Sequence, residues 1–449
     1  MRVRPALITV ATFLGLIVLG TVAVALVPNR ASGHGSLVTA AFTATSAVCV
    51  TGLTVVDLAR EMDFGGQLLV LVLLQIGGLG VLTVSNWILL TVRRRSGIAS
   101  TVLTGETYGG IPSISPRELL QRVVLFTFVT EALGALVLYL RFSQDAPAPT
   151  ALWQAVFHAV SAFCNAGFSI FGDSLHAYRG DVVVNGTIVF LVIAGGIGFV
   201  AATDVTEWVR RRIRGDRRRL YFHTRVVLVT SGGLIAFGFV AFLVFEWANA
   251  WTGHSAGNEI LESFFLSVTA RTAGFNTVDT GHLTNMSLLV LLVLMVIGAS
   301  PGSTGGGVKT STMAIIWARV RSFILNRPNT ELLGHTVPHR TTAKAMAILM
   351  IYILVAMLAL LAIQATEFGG APHERSNGAF LDQLFEVISA LSTVGLSTGI
   401  TRNLTDPSLG ILMVCMFVGR VGPLVLAASL IGERPRLPYA VPEADVMVG

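Results

Sequence analysis

Four short stretches of the chain end in a glycine followed by Leu or Phe: Val50-Thr51-Gly52, Asn165-Ala166-Gly167, Thr272-Ala273-Gly274 and Thr393-Val394-Gly395. The side chains ahead of the glycines differ from copy to copy, so any chemistry they share belongs to the backbone. A peptide carbonyl is an uncharged dipole that replaces the hydration shell of a cation without trapping it, and four equivalent strands converging on one axis would supply a ring of them. Glycine suits such a strand because it takes positive φ and lets a neighbour approach closely.

Ahead of each stretch stands Phe-x-x-x-[Ser/Thr]-Ala, at Phe42, Phe157, Phe265 and Phe385. Each run predicts a short amphipathic helix whose C-terminus turns the negative end of its dipole toward the ring. The glycines are 115, 107 and 121 residues apart, which makes the chain four copies of one unit. One such glycine could simply cap a buried helix; four at regular spacing speak against that. The third copy is the odd one. From Thr269 to Gly274 is five residues, against six from Ser46, Ser161 and Ser389 to their glycines, and it alone carries a charge, Arg271, expected to pair behind the ring with a carboxylate such as Glu262 or Glu386.

The elements that must hold these loops follow from composition. A chain of 449 residues that is 53% hydrophobic and 12% charged belongs in a bilayer. Apolar runs at 5–27, 66–90, 123–140, 182–203, 226–245, 287–318, 345–363 and 409–431 are each near the length of a membrane span. The first is too long for a signal-peptide core and lacks a cleavage site, so it reads as a retained helix. Between the two runs of each copy lies one Phe-to-glycine motif, too short to cross, which fits a re-entrant loop sheltered by helices. The expected fold is an all-α polytopic membrane protein with four parallel helix–re-entrant loop–helix repeats around a central pore. The repeats fall at 1–95, 122–212, 225–321 and 343–431; cytoplasmic linkers at 96–121, 213–224 and 322–342 join them, and a tail follows at 432–449.

Charge tests the topology independently. With every loop entering from outside, the inner segments hold 22 of the 31 Lys and Arg, as basic residues on the cytoplasmic side require. Both termini are then cytoplasmic, and the net charge of +6 reflects topology rather than nucleic-acid binding. The run Arg210 to Arg219 suits either a cytosolic partner or anionic lipid. Asp57, Asp173 and Asp279 follow their glycines closely, whereas the fourth copy has Thr401 nearby; the carboxylates either reflect topology or concentrate cations at a mouth. Three cysteines offer neither a disulfide framework nor metal-ligand spacing. No His-Glu-x-x-His and no paired catalytic carboxylates point to an enzyme, and no cofactor is expected.

A second glycine recurs 24 to 28 residues after the first, at Gly77, Gly195, Gly298 and Gly419, and reads as close helix packing. In the third copy it opens a run that cannot be a continuous helix: Gly298, Ser300, Pro301, Gly302, Ser303, Thr304, Gly305, Gly306 and Gly307, then Lys309. Val308 between Gly307 and Lys309 spoils the likeness to a nucleotide-binding loop. Non-helical backbone at membrane depth belongs beside a water-filled path, so the run predicts a movable loop obstructing the pore, with a static helix break as the alternative. Arg420 lies deep in the last span, where an arginine costs about 2.5–3.5 kcal/mol; the carbonyl-rich loop or Glu131 is its expected partner.

These residues resemble the Trk/Ktr/HKT superfamily of potassium-uptake proteins, most closely the Ktr-type membrane subunit. The resemblance rests on Thr51-Gly52-Leu53, Asn165-Ala166-Gly167-Phe168, Thr269 to Phe275, Thr393-Val394-Gly395-Leu396, Ser300 to Gly307 and Arg420, and covers essentially the whole chain. It implies K⁺ uptake across a bacterial plasma membrane through a filter at the four glycines, gated by the loop with Arg420. It also implies a homodimer docked on a cytosolic ring of nucleotide-binding regulatory subunits of the RCK type. In plant relatives a serine at the first filter glycine accompanies sodium transport; Gly52 stands here and favours potassium. Sodium coupling stays open, as do a sodium-conducting relative and an alternating-access transporter. The last would need inverted repeats with broken helices in corresponding positions of its halves, whereas the sequence breaks only the third copy.

Overall fold

The computed structural model describes residues 5–27, 36–93, 116–216, 219–247, 249, 256–369, 372, 374 and 378–422. Most of linker 96–121 and all of tail 432–449 lie outside them. The chain is mostly helical: α1 (Pro5–Leu26), α2 (Ser36–Cys49), α3 (Phe64–Arg93), α4 (Pro116–Phe142), α5 (Ala148–Phe163), α6 (Val182–Gly196), α7 (Phe199–Ile213), α8 (Phe222–Phe245), α9 (Ala256–Thr269), α10 (Asn285–Val296), α11 (Thr310–Ile324), α12 (His339–Phe368), α13 (Ala379–Ser392) and α14 (Asp406–Val421).

Among the described residues, α1, α4, α8 and α12 are long and apolar enough to cross a bilayer. Their outward faces are apolar, with Leu19, Leu125, Val244 and Leu361 exposed, as lipid demands. The four motif helices are their opposite. In α2, α5, α9 and α13 the motif phenylalanines Phe42, Phe157, Phe265 and Phe385 are buried. Each motif helix packs on the long helix before it: α1 on α2, α4 on α5, α8 on α9 and α12 on α13. Contacts also run from one copy to the next, α3 to α5, α6 to α9, α10 to α13 and α14 back to α2, so the last copy touches the first.

The C-terminal ends of three long helices are tied by polar contacts to the start of the helix that follows the motif helix. Past α8, the buried Glu246 carboxylate accepts from Thr284 N at 2.9 Å and Thr284 Oγ1 at 2.7 Å, fixing the residue that caps α10. Glu367 near the end of α12 accepts from Thr405 N at 2.9 Å and Oγ1 at 2.8 Å ahead of α14. Arg141 on α4 instead reaches Asp181, the cap of α6, at 2.5 Å.

One expectation is corrected. The run 182–203 is not one span: α6 stops at Gly196 and α7 leaves at 108°. The cause lies in the third copy, whose loop takes the carbonyls that would have continued α6. Ser300 N donates to Gly196 O at 3.0 Å and Thr304 N to Gly195 O at 3.2 Å, while Phe199 N turns to Gly302 O at 3.0 Å. Linker 322–342, to which the sequence reading assigned no structure, has an element of its own. It holds an antiparallel hairpin, β1 (Thr330–Leu332) and β2 (His335–Val337), with Thr330 opposite Val337. Its turn at Leu333-Gly334 has φ of 47° and 79°, the sign pattern of the tight hairpin turn.

Candidate functional site

All four motif helices end through a left-handed residue. The second residue before each glycine, Val50, Asn165, Thr272 or Thr393, is left-handed, with φ of 56°, 58°, 77° and 51°, and the glycines follow with φ of 96°, 69°, 77° and 90°. Left-handed Val and Thr are strained, and such strain collects at functional sites. The odd spacing of the third copy now has a cause. The N–H before the glycine bonds five residues back in three copies, from Thr51 to Ser46, Ala166 to Ser161 and Val394 to Ser389, but four back from Ala273 to Thr269. The first pattern is the Schellman ending, and the third copy closes its turn one residue shorter.

The motif hydroxyl pins the glycine strand from behind. Ser46 Oγ accepts from Gly52 N and Ser389 Oγ from Gly395 N, both at 3.1 Å. Ser161 Oγ donates to Phe168 O at 2.7 Å and Thr269 Oγ1 to Phe275 O at 2.8 Å.

The four strands converge. A methyl group at Gly167 would lie 2.8 Å from Ala273 O in the next copy. One at Gly52 would collide with Ala166 O, one at Gly274 with Val394 O, and one at Gly395 with Thr51 O. Each glycine therefore faces the carbonyl just ahead of the next copy's glycine, and the order one-two-three-four returns to one. The twelve residues Val50 to Gly52, Asn165 to Gly167, Thr272 to Gly274 and Thr393 to Gly395 are thus brought together by their backbones.

Outside this ring opens a cavity of about 340 Å³ lined by all four glycines, with Asp57, Asp173, Asp279, Thr401 and Arg402 around it. Two of the carboxylates also cap turns: Asp57 accepts from Ala59 N at 2.9 Å and Asp279 from Gly281 N at 2.9 Å. Two residues behind this wall hold its polar side chains: His158, which the sequence reading did not name, and Glu386, which it named only as a partner for Arg271. His158 Nε2 meets Ser169 Oγ at 2.9 Å, and the buried Glu386 takes Ser397 Oγ and, at 2.8 Å, Thr401 Oγ1. A positional signal was present. His158 and Glu386 each follow the motif phenylalanine, and Ser169 and Ser397 each stand two residues past the glycine.

On the other side of the ring lies the glycine-rich loop. Its ends are joined: Ile297 bridges Val308, Ala299 N donates to Gly306 O at 3.3 Å and Thr310 N to Ala299 O at 3.3 Å. Its middle meets the left-handed residues of three copies. Asn165 Nδ2 donates to Thr304 Oγ1 at 2.8 Å, and a methyl at Gly305 or Gly306 would strike the hydroxyl of Thr272 or Thr393. Ser303 Oγ donates to Ser300 O at 2.6 Å, and the Pro301 carbonyl packs where a side chain at Gly198 would project. Arg420, buried in α14, donates to Thr304 O and, at 2.6 Å, to Gly77 O. Lys309 Nζ donates to Gly305 O at 2.7 Å. Two basic side chains therefore hold backbone carbonyls of one loop, and Arg420 ties it to the first copy as well.

The second glycines divide. Gly77, Gly195 and Gly419 sit against the carbonyls of Val48, Phe163 and Leu391 at the ends of α2, α5 and α13. Gly298 instead faces Gly306 of its own loop.

The expected pairing of Arg271 with a carboxylate is corrected. Its guanidinium reaches α8, at Ser231 O (3.4 Å) and Ser231 Oγ (3.2 Å), because the end of α9 turns it away from the ring. Glu386 is taken up by Ser397 and Thr401. Glu131 meets Gln75 Nε2 at 3.2 Å rather than Arg420. Cys49, Cys164 and Cys415 are buried thiols, and among the described residues no His, Cys, Asp and Glu group could hold a metal ion.

Residues 4–436 match the profile of the TrkH family, described as a cation transport protein. The chain is 36% identical to the Ktr system potassium uptake protein B of Vibrio alginolyticus, over 98% of this chain and 94% of that protein. It is 30% identical to the potassium/sodium uptake protein NtpJ of Enterococcus hirae, over 100% of this chain and 98% of the other. Among solved structures, the potassium transporter TrkH of Vibrio parahaemolyticus superposes with a TM-score of 0.72, at 20% identity, covering 95% of this chain and 84% of that one.

Proposed function

Because this chain belongs to the TrkH family of cation transport proteins, we propose that it carries K⁺ into a bacterial cell through the ring of backbone carbonyls at Gly52, Gly167, Gly274 and Gly395. The observation that carries this reading is the cyclic contact of each glycine with the next copy's carbonyl, which leaves room for no side chain between the strands. A dehydrated cation passes from the outer cavity, where Asp57, Asp173 and Asp279 raise its local concentration, into the ring. Four parallel repeats surround this path, and the motif helices α2, α5, α9 and α13 are its re-entrant segments.

The loop 298–310 is the gate. Arg420 and Lys309 hold it closed through its carbonyls, and its contacts with Asn165, Thr272 and Thr393 couple it to the ring. The break between α6 and α7 supports gating rather than alternating access. It falls in the second copy and the loop in the third, which are not corresponding positions of two halves. The amphipathic α7 carries Arg210, Arg211 and Arg212 at its end and touches the loop at Phe199 N, a route by which a cytosolic nucleotide-binding partner could pull on Gly302. A homodimer in the plasma membrane, both termini cytoplasmic, completes the reading.

A second reading, Na⁺ carried with or in place of K⁺, is favoured by the likeness to the potassium/sodium protein of Enterococcus hirae. Growth of a potassium-uptake-deficient bacterium at low K⁺ tests the first. Rescue by this chain, with or without its partner, is expected; no rescue under either condition overturns it. Na⁺ uptake by the same cells decides the second.

A further inference from the structure

A cavity of about 200 Å³ lies away from the ion path, between the second and third copies. Its wall is almost wholly apolar and includes Ile193 of α6, Leu228 and Ile235 of α8, Val268 of α9 and Ala299 of the loop. One charged side chain lines it, Arg271. That guanidinium has only the long hydrogen bonds to Ser231, its Nε has no hydrogen-bond partner among the described residues, and no carboxylate there lies within ion-pair distance of it. Gly232 forms part of the cavity rim on an exposed stretch of α8, and a Cβ there would meet nothing within 4 Å, so the cavity opens toward lipid.

We propose that this cavity binds a lipophilic anion from the bilayer, a single-chain carboxylate of the fatty-acid class, with its head on Arg271 and its chain along α6 and α8. A guanidinium stays charged in any protein environment and is built to grip a carboxylate with two donors. In hydrocarbon it gains more from an anion than from one serine, since water is scarce there. The size points to one chain. Sites for larger ligands run to roughly 300–1,000 Å³. Binding stands apart from the transport reading. Its consequence does not, since a bound chain would bear on Ala299 and stiffen the loop only if that loop is the gate.

The test uses the full chain in phosphatidylcholine vesicles with a diazirine-bearing palmitic acid, photolysed and mapped by mass spectrometry. Adducts near Ile193, Leu228 and Ile235 are expected, falling about tenfold in Arg271→Gln and in Gly232→Phe, which blocks the mouth without touching ring or loop. The methyl ester of the same probe should label wild type as weakly as the acid labels Arg271→Gln. Equal labelling of wild type and both variants overturns the proposal, as does equal labelling by acid and ester or preferential labelling by a diazirine phospholipid, either of which would mark an ordinary lipid groove. Labelling is read without any ion flux, so its failure and a failure of the transport reading are told apart.

Discussion

The closest test of the carbonyl ring is Gly167→Ala, a single methyl group. At this position φ is 69°, and the new Cβ would stand 2.8 Å from Ala273 O and 2.8 Å from the Gly274 Cα. Carbon contacts are comfortable at about 3.5 Å or more, so the third copy's strand must retreat by roughly 0.7 Å. Left-handed backbone costs an alanine about 1–2 kcal/mol more than glycine, small enough for the protein to stay folded. The displaced carbonyl no longer meets the ion at the distance its three fellows do. If that removes about 1.4 kcal/mol of preference, the K⁺/Na⁺ ratio falls roughly tenfold. Reversal potentials across vesicles with opposed K⁺ and Na⁺ gradients measure it. Gly410→Ala is the control, since a Cβ there meets nothing within 4 Å. A folded Gly167→Ala protein with the wild-type ratio and flux would refute the reasoning.

Arg420→Gln removes a charged donor from Thr304 O, Gly77 O and Gly78 O; a loss of about 2 kcal/mol from the closed loop raises basal K⁺ flux up to thirtyfold, and unchanged ⁸⁶Rb⁺ leak would favour a static loop. Ser389→Ala strips Gly395 N of its acceptor; a fall in stability of about 1 kcal/mol is expected together with weaker K⁺ selectivity, and a loss of stability alone would make the hydroxyl a mere helix cap. Burial pushes the Glu246 carboxyl up, but hydrogen bonds from Ser287, Asn249 and Thr284 outweigh it and hold the group below its ordinary 4.5. Its contribution is therefore complete above pH 4.5 and lost as the pH falls below that. Thermal melts of detergent-solubilised wild type should drop across this window, and Glu246→Gln should be less stable at pH 7 and show a smaller drop.

Much of the site was legible because it rests on covalent spacing. The motif hydroxyls stand six residues before their glycines in three copies and five in the third, and a helix end is a local event that a few residues dictate. The glycine-rich run was equally plain, since no helix accommodates it. Contacts between distant copies were not. Arg271 read as a partner for Glu262 or Glu386 because opposite charges in an apolar chain suggest pairing, yet the end of α9 carries it to Ser231 on α8. The run 182–203 read as one span because its composition is apolar throughout, and only the loop of another copy, by taking the carbonyls of Gly195 and Gly196, turns it. The hairpin at Thr330–Val337 lay in a stretch judged by charge alone.

The sequence by itself determined the bilayer as solvent and the recurrence of one glycine motif four times along the chain, because composition, period and glycine placement are properties of the chain. Tertiary structure decided which carbonyl each glycine faces, what Arg420 and Lys309 hold, and that the second copy must break to receive the loop of the third. Those choices join residues more than a hundred positions apart, such as Asn165 with Thr304 and Gly77 with Arg420. Only packing in three dimensions can select among the many polar partners that a membrane interior makes equally costly to leave alone.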